Sequence, residues 1–572
     1  MEEIIKGVGI SKGYAIGKHY HFEKQKIAIS EESISEDKVA EGINFCKNTI
    51  DSYIEELELV ESSSGEAKAI SEAHIQMLSD PYFFSCIEGK IREDLKNAEL
   101  AIYETCKEMA EVMASLDDLY LKEREADYRD IGESLVYKLR GLEKKSLSAL
   151  PDKVIVACQD LSPTDALKID NTKVLGFVTE KGSKTSHTAI IAQNLSIPAV
   201  SGIENLSESL KTCQSLIVNG YEGIIIIDPD EDTLEAYRKK IEDEREKKHR
   251  LESIKGKKAV TKDGKEIRVG ANIGNLEDLS DALKNACDGV GLFRTEMLYM
   301  KSQALPSEED QFAYYKKAGQ LLDGKELIIR TLDIGGDKGV DYLQIPKEDN
   351  PFLGYRAIRL CLDRPDIFKA QLRAILRASA LGNIKIMLPY LISLEEIRQV
   401  KKFLEEIKSD LDREKIAYDK DIEVGIMVET PAAVIMADKF AEEVDFFSIG
   451  TNDLTQYILA ADRGNTKIVS IYNPYNPAVL RAIKYVIDQS HKKGKWTGMC
   501  GAFASDPDAT RLLVGLGLDE FSLSASKISE IKSIIINSSY EEEREFANRV
   551  INLSTVAEVE DLVRENNKKA CF

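Results

Sequence analysis

The sequence lacks several features that would assign it to other classes of protein. Its nine cysteines include no Cys-x-x-Cys pair, so neither a zinc site nor a disulfide framework is indicated. The acidic start, Met1-Glu2-Glu3, contains no apolar signal core, and no run reaches ~18 apolar residues. We therefore expect no membrane span and a reducing, cytoplasmic setting.

Positive charge is scarce as well. The chain has 77 Lys and Arg against 99 Asp and Glu, and its net charge of −22 argues against binding to nucleic acid or to an anionic membrane. What is present is a long chain of 572 residues with 43% hydrophobic residues. That size and composition predict a globular protein of three or four domains, at ~150 residues per domain.

The pattern of apolar residues changes along the chain. Short runs with glycine turns open it, and from about residue 30 to 142 apolar residues recur at helical spacing, as in Ile50 and Ile54. Short β-type runs between helices return over 153–228. This order predicts an α/β domain with an inserted α-helical bundle. The charged run over 228–258 predicts a linker helix.

From Glu266 the chain repeats strand, loop and helix. Candidate strands lie at 267–272, 289–293, 326–331, 384–388, 422–428, 444–449, 495–499 and 519–523. Eight such units in ~300 residues predict a (β/α)8 TIM barrel, whose chemistry lies at the C-terminal strand ends. Polar residues follow these strands: Arg294, Glu296, Arg330, Asp333, Glu429, Asn452, Asp453 and Cys500.

Two carboxylates stand at the ends of neighbouring predicted strands. Glu429 and Asp453 would meet in one site, where they need a cation or a proton. Mg²⁺ commonly takes one or two carboxylates and completes its octahedron with phosphate oxygens of a substrate. The same residues would also serve as helix caps in βα loops, and their spacing alone does not separate these interpretations.

Four arginines next to glycine or strand-end sequence form a second candidate set: Arg294, Arg330, Arg356 and Arg463. Arginine forks bind carboxylates and phosphates at two points, so several at one barrel mouth would favour a phosphorylated carboxylic acid. Any one of them alone is an ordinary surface residue. Cys500, in Thr-Gly-Met-Cys-Gly, is either a small buried residue or an acid at this mouth.

One histidine lies among small and hydroxyl residues at a strand-to-helix turn. His187 follows Gly182-Ser183-Lys184-Thr185-Ser186 and precedes a helix-like run. Free backbone N–H groups at a helix start favour anions, so a ring nitrogen there could carry a phosphoryl group. A capping turn with a surface histidine fits the same residues.

These motifs together resemble enzyme I, the phosphoenolpyruvate–protein phosphotransferase family of the bacterial sugar phosphotransferase system. The segment from Gly182 to Gly202 resembles that family's phosphohistidine segment. Further matches lie in the barrel, at Gly291 to Glu296, Arg330 to Lys338, Asn350 to Arg356, Val428 to Ala432, Phe447 to Gln456 and Lys495 to Gly501.

The resemblance implies a role for each matching residue. His187 is implied to take the phosphoryl group of phosphoenolpyruvate and pass it to the carrier protein HPr. Glu429 and Asp453 are implied to be Mg²⁺ ligands, and Cys500 the proton donor. The substrate is implied to bind Arg294, Arg330, Arg463 and the backbone near Asn452, with Arg356 alongside and Asp453 shared with the metal.

The resemblance also implies an assembly. The phosphohistidine domain spans 1–25 and 145–228, the helical HPr-binding insert 26–144, the linker helix 229–260, and the phosphoenolpyruvate-binding barrel 261–572. The family forms homodimers through the barrel. The residues of the insert that correspond to the HPr contact, around His74, are Glu66, Met77, Leu78 and Asp80.

This chain departs from the family's usual residues at several positions. Gln193 and Lys184 replace arginines, Ser183 a glycine, Ala166 a hydroxyl residue and Ala502 a glutamate. Fewer cationic forks near His187 would weaken stabilisation of a transferred phosphate. These changes leave two alternatives beside the phosphotransferase: a phosphorylation-state sensor with weak catalysis, and a dikinase or phosphoenolpyruvate synthase. The latter needs a nucleotide-binding domain for which the chain has no room.

Overall fold

The computed structural model describes residues 2–23, 28–58, 65–115, 119–142, 147, 150, 152–161, 165, 169–170, 172–182, 187–211, 213–302, 304–336, 338 and 340–570. At 65–69, 119–123, 187, 190, 194, 341 and 570 the description covers the backbone and not the side chain. The chain divides into two compact units, Met1–Lys247 and Lys248–Phe572.

The first unit contains an eight-stranded mixed sheet. Its strands are β1 (Glu3–Lys6), β2 (Val8–Ser11), β3 (Tyr14–Phe22), β4 (Val154–Cys158), β5 (Val174–Thr179), β6 (Ala199–Ser201), β7 (Leu216–Asn219) and β8 (Ile224–Ile227). They lie in the order β1-β8-β7-β3-β4-β5-β6-β2, and β3 to β6 run parallel. Every residue of the apolar run β4 is buried, as expected for a strand inside a parallel sheet.

Helices make up most of the described chain between β3 and β4, as predicted. They are α1 (Val39–Glu58), α2 (Gly65–Leu78), α3 (Pro81–Arg92), α4 (Ala98–Ser115) and α5 (Leu119–Leu139). Cys46, Ile50, Tyr53 and Leu57 of α1 are buried at three- and four-residue intervals, which gives the helix one apolar face. Two short helices follow β5 and β6: α6 (His187–Asn194) and α7 (Leu206–Ser209).

A long helix, α8 (Glu231–Ile254), lies within the segment predicted as a linker helix, and the boundary between the two units falls inside it. Among the described residues, no helix has the length and apolar character that a membrane crossing requires.

The second unit is a closed barrel. A short strand β9 (Ala259–Val260) precedes the eight parallel strands β10 (Glu266–Ile273), β11 (Val290–Arg294), β12 (Leu327–Arg330), β13 (Ile384–Leu388), β14 (Val424–Val428), β15 (Phe446–Ile449), β16 (Trp496–Met499) and β17 (Glu520–Leu523). Pairing of β10 with both β17 and β11 closes the ring. The predicted TIM barrel is confirmed, and each strand lies within two residues of its predicted bounds.

Helices surround the barrel and continue beyond it. They are α9 (Leu276–Lys284), α10 (Glu296–Lys301), α11 (Glu308–Leu321), α12 (Ile358–Asp363), α13 (Pro365–Ala378), α14 (Leu394–Glu414), α15 (Pro431–Ile435), α16 (Ala437–Glu443), α17 (Thr451–Leu459), α18 (Pro477–Lys492), α19 (Pro507–Leu516), α20 (Ile528–Ile536), α21 (Tyr540–Val550) and α22 (Val556–Ala570). One contiguous apolar core joins these helices to the strands.

The N-terminal ends of the strands enclose an aromatic and ionic cluster. The ring of Trp496 stacks on Phe446 with centroids 4.6 Å apart, and the Arg268 guanidinium lies 3.9 Å from the Trp496 ring. Buried Glu520 belongs to the same end of the barrel, where burial raises its pKa to about 7 despite the nearby Arg268. This end serves stability, because barrel enzymes carry their chemistry at the opposite end.

Candidate active site at the barrel mouth

The C-terminal strand ends bring the predicted polar residues together. Arg294 and Arg330 are the last residues of β11 and β12 and stand opposite each other in the register. A cavity of about 180 Å³ lies at this mouth. Its lining includes every barrel residue predicted for the site: Arg294, Arg330, Arg356, Glu429, Asn452, Asp453, Arg463 and Cys500.

Local sequence explains how the carboxylates reach this cavity. Glu429 directly follows β14, and Thr430 then caps α15, whose first residue is Pro431. The cap belongs to Thr430, which accepts a hydrogen bond from the backbone N–H of Ala433. Glu429 is therefore not the helix cap that its position allowed, and its side chain lines the cavity.

A network of ion pairs surrounds Arg330. Its Nη2 donates to Glu296 and lies 3.1 Å from Asp333 Oδ2. Lys338 Nζ lies 2.7 Å from Glu296 Oε1 and 3.4 Å from the same Asp333 oxygen. Burial of so many charges is tolerated only when they are paired, so each member holds the others in place.

The network continues across the cavity through Arg356. Its Nη2 lies 2.8 Å from Asp333 Oδ1 and 3.3 Å from Asp453 Oδ2, and the side chain is only 2% exposed. Asp453 Oδ1 in turn lies 3.0 Å from Arg463 Nη1. Three of the four predicted arginines, Arg330, Arg356 and Arg463, thus belong with Asp453 to one connected network of ion pairs.

The two kinds of carboxylate in this site differ in their proton affinity. Burial favours the neutral form of Asp333, but Arg330, Arg356 and Lys338 outweigh it and hold the pKa below the usual range. Glu429 has the opposite balance. Burial, with Asp453 and Asp333 nearby, raises the pKa of Glu429 to about 8 against the attraction of Arg330 and Arg356. Glu429 is therefore the carboxylate that most needs an additional cation.

The surroundings of Glu429 fit a cation. One oxygen, Oε1, accepts the Tyr390 N–H at 2.7 Å. Beside the other oxygen lies Gly450, where a Cβ would come within 2.9 Å of Oε2. The described side chains include no group of three or more His, Cys, Asp or Glu that could hold a metal ion. Mg²⁺ needs only one or two protein carboxylates, because substrate phosphate oxygens and water complete its coordination. Glu429 and Asp453 as a pair fit that requirement.

Arg294 is the least committed cation of the site. It lines the cavity and is exposed, and among the described side chains no carboxylate pairs with it. Asn452 is held on both sides: its carbonyl accepts the Tyr472 hydroxyl at 3.1 Å and its Oδ1 accepts the Ala502 N–H at 3.0 Å. The Arg294 guanidinium and the fixed backbone at Asn452 are therefore available to bind an anion.

Cys500 lines the cavity and is 7% exposed. Its sulfur accepts a hydrogen bond from the Ser448 hydroxyl at 3.2 Å. Burial raises the pKa of the thiol to about 11, although Ser448 and Arg330 favour the thiolate. The group therefore keeps its proton at neutral pH, as an acid must.

The histidine segment lies in the first unit and is only partly described. The backbone of His187 begins α6, whereas its side chain and the whole of 183–186 lie outside the described residues. Thr188 does not present its hydroxyl to a ligand, because it donates to Asp160 Oδ1 at 3.0 Å. Gln193 donates to the Ile10 carbonyl at 2.6 Å, so its amide ties α6 to β2. Ala166 also lies outside the described residues.

The residues predicted to contact a carrier protein have different environments. Asp80 is exposed and caps α3 by accepting the Tyr82 N–H at 2.9 Å, and Met77 is half-buried. Leu78 is only 3% exposed and packs in the core of the helices, so it cannot contribute a surface contact. The side chain of Glu66 lies outside the described residues.

Sequence reasoning gave no role to three residues of the site. Lys338 lies inside a quoted motif, and its spacing from Arg330 was the available signal. Tyr390 contributes a backbone N–H from a left-handed conformation, φ 64°, and Ser448 a hydroxyl from the interior of β15. Neither a backbone donor nor a strand-interior serine carries a distinctive sequence pattern.

Comparison with known families defines first the class of protein. Residues 248–540 match a family model described as "PEP-utilising enzyme, PEP-binding domain", and 150–223 match its "mobile domain". Residues 6–124 match "PEP-utilising enzyme, N-terminal". A closed barrel with an acid-and-arginine mouth, joined to these segments, is the architecture of a phosphoenolpyruvate-utilising enzyme.

Full-length relatives identify the family within that class. Proteins named "Phosphoenolpyruvate-protein phosphotransferase" are 44% identical in Staphylococcus epidermidis and in Bacillus subtilis, each over 99% of this chain and 100% of the relative. The relative from Staphylococcus carnosus is 42% identical over 100% of both chains. The chain belongs to the phosphoenolpyruvate-protein phosphotransferase family and is an enzyme of phosphoryl transfer.

Proposed function

We propose that this chain transfers the phosphoryl group of phosphoenolpyruvate to His187 and from there to a histidine of the carrier HPr, as the first step of sugar phosphotransferase transport. The observation that carries the proposal is the cavity at the barrel mouth. It joins three carboxylates, four arginines and one thiol, and the matched relatives are named phosphoenolpyruvate-protein phosphotransferase.

The proposed mode of substrate binding rests on a difference among the arginines in how they pair with buried carboxylates. Arg330 and Arg356 are fixed by buried carboxylates, so they present their free N–H groups in set directions. Arg294 and Arg463 lie nearer to solvent and supply further positive charge. A phosphate and a carboxylate on one small molecule would use both kinds of site, with the backbone at Asn452 as an additional contact.

The proposed metal is Mg²⁺, held by Glu429 and Asp453. The raised pKa of Glu429 supports this assignment, since a divalent cation would compensate a carboxylate that otherwise prefers to hold a proton. When bound, the ion would neutralise charge on phosphate oxygens. The protein groups that surround it would orient the phosphate.

The chemical step balances with groups of this chain. A ring nitrogen of His187 attacks phosphorus, the bond between phosphorus and the enol oxygen breaks, and the electron pair leaves with the enolate of pyruvate. The Cys500 thiol then gives its proton to the enolate carbon and regains one from solvent. His187 and the barrel mouth belong to different compact units, so transfer requires the two to meet.

The carrier surface is proposed on the helices of the first unit. Met77 and exposed Asp80 are its described members, and Glu66 belongs to the same segment. We exclude Leu78 from the surface and assign it to the packing beneath. A carrier with basic residues would suit an enzyme whose net charge is −22.

We also propose a homodimer through the barrel. Leu353, Ile392 and Ile435 are exposed apolar side chains of the second unit, and Leu353 and Ile392 line one cavity of about 630 Å³. Exposed apolar side chains grouped around one cavity, as Leu353 and Ile392 are, favour a protein contact. The described cysteines are all free, which supports the expected cytoplasmic setting.

A label-transfer experiment tests the proposal. Purified protein with Mg²⁺ and phosphate-labelled phosphoenolpyruvate should gain one phosphoryl group on the peptide that contains His187 and pass it to added HPr. His187→Ala should gain none, whereas His249→Ala, on the exposed face of α8, should be labelled normally. Label that stays on the enzyme would favour the sensor alternative, and label on His187→Ala would contradict the site.

A further inference from the structure

A fully buried glutamine connects two strand ends of the active site. Gln371 lies in α13, outside the ring of strands, and is 0% exposed. Its Oε1 accepts the Leu332 N–H at 2.9 Å, and its Nε2 donates to Thr295 Oγ1 at 3.2 Å and to Tyr315 Oη at 3.3 Å. All three contacts lie within the barrel unit.

The position of these contacts is what links Gln371 to the reaction. Leu332 stands between Arg330 and Asp333, and Thr295 stands between Arg294 and Glu296. The backbone of β12 ends its pairing when the Thr331 N–H donates to Met387, so the next amide, that of Leu332, needs another acceptor. Gln371 supplies it at the residue where the strand turns into the site.

The hydrogen bonds around Gln371 have one consistent direction. Thr295 gives its single hydroxyl hydrogen to the Arg330 carbonyl at 2.9 Å, and Tyr315 gives its own to Gln311 at 3.1 Å. Both hydroxyls can therefore only accept from Gln371, and the Leu332 N–H can only donate to it. An amide is the side chain that offers an acceptor and two donors in this arrangement.

We propose that Gln371 is a positioning residue for phosphoenolpyruvate: it fixes the ends of β11 and β12, and so sets where Arg294 and Arg330 meet the substrate. This inference rests on the proposed function, since it assigns Gln371 to that same site. It touches neither the cavity nor the reacting atoms, and it acts through Thr295 and Leu332. Loss of the amide leaves buried donors and acceptors without partners and loosens both strand ends.

The test compares variants at two bridging amides, the fully buried Gln371 and the half-buried Asn383. Gln371→Leu should raise the KM for phosphoenolpyruvate about 10-fold, the effect of releasing a buried polar contact. The matched control is Asn383→Leu. Asn383 Nδ2 also bridges two backbone segments, at the Gly319 and Lys325 carbonyls, but at the N-terminal end of β13. The Asn383→Leu variant should unfold at a lower temperature than wild type and keep an unchanged KM for phosphoenolpyruvate.

A second variant separates positioning from simple destabilisation. Gln371→Glu keeps the acceptor for Leu332 but loses the donors when it is ionised. A protonated carboxyl regains one donor. The increase in KM of Gln371→Glu over wild type should therefore become smaller as pH falls. If wild type takes no label from phosphoenolpyruvate, the proposed function itself fails. The positioning role is refuted if wild type is labelled but Gln371→Leu keeps a normal KM for phosphoenolpyruvate. It is also refuted if Asn383→Leu raises that KM as much as Gln371→Leu does.

Discussion

Asp333→Asn is the substitution that tests the ionic design of the site most directly. The carboxylate is 2% exposed and receives three cations: Arg356 at 2.8 Å, Arg330 at 3.1 Å and Lys338 at 3.4 Å. Its amide replacement has the same shape and no charge. The buried guanidinium groups would then lose a shared counter-charge while remaining out of water.

The expected loss is about 3 kcal/mol of unfolding free energy, the lower end for removal of one partner from a buried ion pair. The pKa of Asp333 lies below its usual value of 3.8, so its contribution is present above that pH and is lost as pH falls through the lowered pKa. The difference between Asp333→Asn and wild type should therefore be present throughout pH 6 to 8.

Denaturant unfolding at those pH values measures the loss. Asp366→Asn is the control, because Asp366 also receives two bonds from an arginine, Arg364, but both side chains are largely exposed. That pair should contribute less than about 1 kcal/mol. Equal effects of the two substitutions, or no loss in Asp333→Asn, would refute the view that the buried network sets the arginines in place.

Three further predictions concern other parts of the barrel. Glu520→Gln should remove a pH dependence of the free energy of unfolding, because the pKa of Glu520 is raised from 4.5 to about 7. As pH rises between those values, wild type should lose up to about 3 kcal/mol of unfolding free energy relative to the variant. Parallel plots of unfolding free energy against pH would contradict this. Cys500→Ser, with a weaker acid, should lower kcat for pyruvate formation about 100-fold at an unchanged KM, and a normal kcat would exclude the thiol as donor. Gly450→Ala, at a φ of −86° that alanine tolerates, should displace Glu429 and raise the Mg²⁺ concentration needed for half-maximal label transfer, while an unchanged requirement would contradict the metal assignment.

The sequence predicted the barrel well because its signal is local and repeated. Each strand is a short apolar run between a helix and a polar turn, and the residue after the run faces the mouth whatever the rest of the fold does. Arg294, Glu429 and Cys500 were found in this way. Their gathering in one cavity followed from closure of the barrel, which brings all the C-terminal strand ends to one mouth.

The parts that escaped prediction depend on contacts between distant residues. No local pattern distinguishes the committed Arg356 from the uncommitted Arg294, since the difference is a carboxylate supplied by another strand end. Leu78 was predicted as a surface contact from the family resemblance, yet it is 3% exposed and packs in the core of the helices. Gln371 gives no sequence signal, because its partners belong to segments 39 and 76 residues away.

The single tryptophan gives the molecule a built-in optical reporter. Trp496 belongs to the second compact unit, stacked on Phe446 and covered by Arg268, so its emission reads the integrity of that unit alone. Far-ultraviolet dichroism sees the helices of both units. A mismatch between the two transitions would show the units melting separately, without any added dye or label.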